Sequence, residues 1–400
     1  MRQWATSDAT KTALVAWLAL RFYCTLIGAA LYAIVPAEHY STALHALFGK
    51  MLPACPQYIA PGSGVNGALA GMWVRWDTPW YLEIASHGYS CYGSSVFMPL
   101  YPLLIRMLGI LPGSSDLGAA LLISSIASFA AFYLLYLLAK ELTGSIPIAR
   151  ASVAALALFP VSFFLMAGYT EALFLALAIA AYLAARRRSW IIAGILVALA
   201  TLTRLQGIVL LVPMSLELLL APRSDSRRWQ PWLTLLIAPL ALTAYITFIR
   251  DTQGLSFPWE PLSAASGPWH LHYAWPWQGI GNDLGALLAQ PDLGLLISFK
   301  LLDPLTALLF ALCTVAAFRR LPLPLSAFLV TMWLSSVIKV NSDGYTTSIS
   351  RYMLALFPAF IVLGTLITRW PRLVRLGAAV GAFFLLSMYL FIFLVWGWVA

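Results

Sequence analysis

Long apolar stretches recur through nearly the whole chain, and they narrow its possible folds more than any other feature. They fall near residues 12–35, 117–139, 148–168, 170–187, 190–204, 205–221, 232–250, 294–318, 322–339, 353–369 and 374–398. Many approach the roughly 20 residues with which an α-helix crosses a hydrocarbon core. In hydrocarbon every backbone N–H and C=O must be satisfied within the protein, which leaves helices or closed barrels. The apolar/polar alternation of barrel strands is absent. Composition agrees, at 61% hydrophobic and 10% charged, against about 25% charged in soluble domains. A soluble globular protein, a disordered chain and a disulfide-stapled secreted module are excluded. The expectation is an all-α polytopic membrane protein of about 11 transmembrane helices, forming a single domain over residues 1–400.

Charges between the runs are sorted by sign. Alternate loops carry Arg2 and Lys11; Lys140 and Arg150; Arg186, Arg187 and Arg188; Arg223, Arg227 and Arg228; Arg319 and Arg320; and Arg369, Arg372 and Arg375. Those loops hold 15 Lys/Arg and 4 Asp/Glu, whereas the others hold 7 and 10. Basic residues in short loops stay in the cytoplasm, so the first set is expected inside, with the N terminus inside and the C terminus outside. The net charge of +9 then belongs to clusters facing anionic lipid. No basic-aromatic patch of a nucleic-acid binder is present, and no nucleic-acid partner is expected. Residues 97–113 are apolar but interrupted by Pro99, Pro102 and Arg106, which reads as a re-entrant or surface-lying helix. The first run is not read as a cleaved signal peptide, because Arg21 interrupts its apolar core.

On this map two outer loops are long, 36–96 and 251–293. All five histidines fall outside, together with Asp77, Glu83, Glu171, Glu260, Asp283, Asp343 and Arg351. Larger outer loops would hold more polar residues anyway, so the sorting gains meaning only with motifs. Cys24 and Cys313 lie in apolar runs as inert core residues. Cys55 and Cys91 share the first outer loop, where an oxidising compartment allows either a bridge or two free thiols.

The most informative segment is "GMWVRWDTPWYLEIASHGYSCYGSSVFMPLYPLL", residues 71–104. Trp73, Trp76, Trp80 and Ile84 recur at helical spacing, as on a helix lying among lipid headgroups. Thr78-Pro79 reads as a cap followed by a first helical residue. Asp77 then stands at a positive helix end that favours its ionised form, with Arg75 beside it. A carboxylate so placed, framed by aromatic rings, is suited to take a proton from a sugar hydroxyl. The plainer reading is an interfacial Asp that caps the helix and pairs with Arg75.

"RWDTPWYLEIASHGY" followed by "FMPLYPLL" resembles the phosphatidylinositol-glycan class V family and its bacterial relatives. Three further segments match in order: "LFPVSFFLMAGYTEALFLAL" (158–177), "GILVALATLTRLQGIVL" (194–210) and "SISRYMLALFPAF" (348–360). In eukaryotes that family is the second mannosyltransferase of glycosylphosphatidylinositol anchor assembly. It belongs to the GT-C class of polytopic glycosyltransferases that use lipid-phosphate sugars. The resemblance thus implies a GT-C-like bundle, with surface-lying helices in the first long outer loop. It implies an integral protein of the bacterial inner (plasma) membrane whose active site faces the periplasm. Asp77 takes the position of the catalytic carboxylate, and Glu171 that of a second shared acid. Arg204 and Arg351-Tyr352 take matching positions at outer span ends. The second outer loop departs from the family pattern before Trp275-Pro276-Trp277.

A sugar on a polyprenyl phosphate already carries a good leaving group. The enzyme must supply a base for the acceptor hydroxyl, cations for the departing phosphate and a fixed geometry. Asp77 is the expected base. Arg204, Arg351 and Lys339 are the expected phosphate ligands, since Arg binds phosphate with two parallel hydrogen bonds. Glu171 reads either as a helix-start carboxylate or as an orienting acid. Arg75, Trp76, Tyr81, His87, Tyr101, Tyr169, His270, His272 and Tyr352 are the expected substrate contacts. His270 and His272 lie two apart, which is no recognised metal motif, and no cofactor or divalent metal is demanded. Lys300 and Asp303 are at helical spacing and read as a structural pair. The expected activity is inverting transfer of a sugar, mannose by resemblance, from a polyprenyl-phosphate donor to a glycan, glycolipid or protein hydroxyl. The alternative is a polytopic lipid or glycan transporter, which would place charges in mid-span cavities and show inverted repeats; neither is evident.

Overall fold

A computed structural model describes residues 2–34, 64–111, 115–221, 229–262, 269–289, 299–397 and 399. The described chain is helical almost throughout. Its strands are two residues long, His272–Tyr273 and Lys339–Val340, paired antiparallel with His272 opposite Val340 and Tyr273 opposite Lys339.

Among the described residues, four helices are long and apolar enough to cross a bilayer: Ser7–Ile34, Asp116–Thr143, Trp229–Gln253 and Arg372–Leu394. The other apolar helices have 10 to 17 residues. Several runs break inside the protein. The runs 190–204 and 205–221 meet at such a break: the helix Trp190–Thr203 is followed by a 3-10 segment Leu205–Leu210 and the helix Leu211–Leu220. The break falls at Arg204, whose backbone is extended. Irregular backbone at membrane depth is tolerated where it is buried in protein or lines a cavity, and this break does line one. The stretch 97–113 yields the helix Leu100–Gly109, about 15 Å long and too short to cross alone. It buries Tyr101, Pro102 and Ile105 and exposes Leu103 and Met107.

Close helix packing depends on small residues. A Cβ on Gly364 would lie 2.4 Å from the Ser152 hydroxyl, and one on Gly207 would lie 2.3 Å from the Thr201 amide nitrogen. Gly364 therefore seats Phe357–Ile367 against Ile146–Ala157, and Gly207 lets the 3-10 segment fold back along Trp190–Thr203. Leu14, Phe22, Leu122, Ile126, Leu240 and Phe384 are exposed on long helices, as lipid-facing residues should be.

The charged groups separate to opposite ends of the bundle. Glu171 opens the helix Glu171–Arg186 and Arg186 closes it, about 24 Å away. At the Arg186 end, Arg186 pairs with Glu141 at 2.8 Å, Arg150 pairs with Asp8, and Tyr136 donates to Asp8. The Glu171 end holds the cavity described next.

Candidate active site

The cavity of about 590 Å³ is built on a strained turn. The 3-10 turn Gly71–Trp73 leads into Trp76, which has φ 50. This left-handed conformation is costly for a bulky residue. The helix Asp77–His87 begins directly after it, two residues earlier than the Thr78-Pro79 signal suggests. Thr78 is not the cap: its hydroxyl reaches the Gly168 carbonyl at 3.3 Å. Tyr169 braces the turn instead. Its hydroxyl accepts the Asp77 amide at 3.2 Å and donates to the Arg75 carbonyl at 3.1 Å. Asp77 thus stands in the first helical turn, at the positive end of the dipole.

Arg351 joins the two acids. Its Nη2 lies 2.6 Å from Asp77 Oδ2, and its Nε pairs with Glu171. Arg204 pairs with the same Glu171 and donates to the Thr170 hydroxyl at 3.1 Å. Burial disfavours the Arg351 charge, but Asp77 and Glu171 outweigh it and hold the guanidinium well above its ordinary pKa. The Arg351 guanidinium also lies over the Tyr169 ring at 4.7 Å and the Phe164 ring at 5.3 Å. Tyr352 lies between two further cations, Arg204 at 5.4 Å and Lys339 at 5.5 Å from its ring centre. The Tyr81 hydroxyl meets the Thr170 hydroxyl at 3.2 Å; burial first, then the Asp77 charge, raises its pKa.

The facing wall is aromatic. Trp80 stacks on Phe97 at 5.4 Å, and Trp269 packs 5.3 Å from Trp80 and 5.6 Å from Phe97. Pro258, Trp259 and Leu262 continue this wall. Its members come from three separated segments of ordinary core residue types, so residue type alone does not single them out. The aromatic row read as headgroup-facing is turned inward: Trp73 is 1% exposed and Trp80 and Ile84 are each 5%.

Seven of the expected site residues line this one cavity: Trp76, Asp77, Tyr81, Arg204, Lys339, Arg351 and Tyr352. Glu171, 4% exposed, and Tyr169 stand behind the lining. Arg75 is turned away. It is 1% exposed, donates to the carbonyls of Leu394 and Val74, each at 3.0 Å, and stacks over Trp396 at 4.8 Å. The adjacent turn aims it at the C-terminal helix rather than at substrate. Tyr101 is fully buried, with its hydroxyl on the Ala120 carbonyl and the Ser124 hydroxyl. His87 is outside the lining and meets Glu83 at 3.2 Å, one turn back on its own helix. In the loop Trp269–His272 the side chains alternate: Trp269 and Leu271 line the cavity, while His270 and His272 face out.

Away from the cavity, Asp303 accepts the Ile349 and Ser350 amides; the Lys300 side chain, its expected partner, lies outside the described residues. Cys24 and Cys313 are free and buried. Cys91 is disulfide-bonded; Cys55, the other cysteine of the first outer loop, lies outside the described residues.

A family-wide sequence profile described as Mannosyltransferase (PIG-V) matches residues 14–221. GPI alpha-1,6-mannosyltransferase 2 of Mus musculus is 33% identical over 199 residues, which cover 46% of this chain and 38% of that protein. GPI mannosyltransferase 2 of Schizosaccharomyces pombe (strain 972 / ATCC 24843) is 30% identical over 140 residues, 34% of this chain and 30% of that protein. The chain therefore matches well under half the length of these relatives. Among solved structures, apo ArnT from Cupriavidus metallidurans superposes with TM-score 0.48 at 14% identity, covering 86% of this chain and 62% of that one. The archaeal oligosaccharyltransferase AglB from Archaeoglobus fulgidus, solved with an inhibitory peptide and a dolichol-phosphate, gives 0.46 at 12%, covering 96% and 56%. The profile matches just over half of the 400 residues, and on that match the chain belongs to the PIG-V mannosyltransferase family.

Proposed function

We propose that the chain is an inverting glycosyltransferase of GT-C type. It moves mannose from a polyprenyl-phosphate donor to an acceptor hydroxyl on the membrane face away from the cytoplasm, which in a bacterium is the periplasmic face. The observation that carries this reading is that Asp77, Arg351, Arg204 and Lys339 line one cavity at the Glu171 end of the bundle, opposite the basic clusters around Arg186 and Arg150.

The acceptor O–H gives its proton to an Asp77 carboxylate oxygen. The acceptor oxygen forms a bond to the anomeric carbon as the bond from that carbon to the phosphate oxygen breaks. Polyprenyl phosphate leaves with the electron pair and one more negative charge than the donor carried. Arg351, Arg204 and Lys339 line the cavity to meet that charge, where fixed cations act strongly. One displacement inverts the anomeric centre, so a β-linked donor gives an α-linked product. In the resting site Asp77 is ion-paired with Arg351, so its carboxylate is engaged before the donor arrives. Donor phosphate competes for Arg351 and releases Asp77, so the base is armed after the donor arrives. Glu171 holds Arg204 and Arg351 side by side.

The test uses purified full-length protein, polyprenyl-phosphate mannose and a membrane extract as acceptor source, with products read by mass spectrometry. The reading expects a hexose added to an extract component in α linkage. It is abandoned if the donor is left intact, or is only hydrolysed, while the protein stays folded.

A further inference from the structure

The helix that carries Arg351 and Tyr352 into the cavity, Ile349–Met353, has five residues. So short a helix has no stability of its own, and its N-cap residue Ser348 makes no side-chain capping bond. The cap comes from a different helix. Asp303, on Phe299–Ala317, accepts the Ile349 amide at 3.0 Å through one carboxylate oxygen and the Ser350 amide at 2.8 Å through the other. A second acid secures the approach to this helix. Asp283, on Pro276–Ala289, accepts the Thr346 amide at 3.3 Å and the Thr346 hydroxyl. Both acids are 0% exposed. Between the two anchors run Thr347 and Ser348, which line the cavity, and Ser348 is held at φ 58. A non-glycine residue keeps that conformation only where its surroundings over-determine it.

A buried carboxylate within an apolar helix is costly to keep. Asp303 is not among the residues lining the cavity, so it does not meet substrate. Its two oxygens are both engaged with first-turn amides of the helix that aims Arg351. We infer that Asp303 is a positioning residue for the transfer reaction, which fixes the reach of Arg351 toward the donor phosphate by capping Ile349–Met353 from outside. This rests on the reading in which Arg351 binds that phosphate. Asp283 supports the same segment one step earlier in the chain.

The test is a double-mutant cycle on the full-length protein, with undecaprenyl phosphate as the probe and its Kd as the readout, so that no acceptor is needed. Arg351→Ala and Asp303→Asn are each expected to weaken binding, the latter by about 10-fold, on the order of the loss of one hydrogen bond to a charged group. If Asp303 acts through Arg351, the double variant binds no worse than Arg351→Ala alone, because coupled residues are not additive. Asp303→Glu, which keeps both acceptor oxygens, should recover part of the loss. Unchanged binding in Arg351→Ala would remove the donor-phosphate reading and this inference with it. Weakened binding in Arg351→Ala beside unchanged binding in Asp303→Asn, or losses that multiply in the double variant, would overturn the positioning role alone. If neither the Asn nor the Glu variant folds, Asp303 serves the folding of the bundle and the inference is likewise overturned.

Discussion

Arg351 touches two carboxylates at once, Asp77 at 2.6 Å and Glu171, and much of the site's chemistry follows from that sharing. Arg351→Lys cannot keep both contacts, because an ammonium lacks the planar fork. It should lower kcat/KM about 100-fold, within the range seen on removing one preorganised donor, as measured by initial rates at saturating acceptor extract. Glu171→Gln leaves Arg204 and Arg351 buried beside a neutral group; removing one partner of a buried pair costs about 3 kcal/mol or more. A large drop in melting temperature in detergent is expected, and an unchanged melt would show that the pair is not held as described. That Asp77, Glu171, Arg204 and Arg351 belong together was legible in the sequence, since each sits in a motif segment at the border of an apolar run, and the fold brings them into one ion-pair cluster. Arg75 was not legible. It is adjacent to the motif, but Trp76 at φ 50 turns the chain, and sequence neighbours then point to different places. Of the aromatic wall only Trp80 was marked in the sequence, and as headgroup-facing; Phe97, Trp259 and Trp269 come from segments that only the fold brings to one cavity.

At the scale of elements, breaks in helices matter more than the helices. Arg204 reaches the cavity because Trp190–Thr203 stops and the 3-10 segment Leu205–Leu210 folds back along it. Gly207 permits that approach, since a Cβ there would meet the Thr201 amide nitrogen at 2.3 Å. Gly207→Ala should cost about 2 kcal/mol as an overpacked contact and lower transfer as well, because Arg204 rides on the displaced junction. Thermal melts and rates of one variant preparation measure both; loss of stability with full activity would separate Gly207 from the site. The apolar runs predicted helix almost everywhere, and helix is found almost everywhere among the described residues. Hydropathy marked the interruption at Arg204, where one apolar run ends and the next begins, but not those at Trp76 and Ser348, which depend on contacts from distant segments.

The whole molecule is polar along its axis. Arg186, Arg150 and their acid partners occupy one end, and the cavity occupies the other. The excess of basic residues in alternate loops predicts the same division across a membrane. Single cysteines introduced at Arg187, exposed at one end, and at Ser342, exposed beside the cavity, test it. A membrane-impermeant thiol reagent added to intact cells should label the cysteine at 342 and spare the one at 187. Labelling in the reverse sense would put the reaction on the cytoplasmic side and remove the proposed location.

Turnover by Asp77→Asn is the most direct measurement of all. Asn fills the same volume and occupies the same helix start, but it cannot take a proton. The variant should bind undecaprenyl phosphate at least as tightly as the parent, because a competitor for Arg351 is removed, and its transfer rate should fall by about 1,000-fold, as expected for loss of a general base. Transfer at the parental rate by a folded Asp77→Asn protein would contradict the account at its centre.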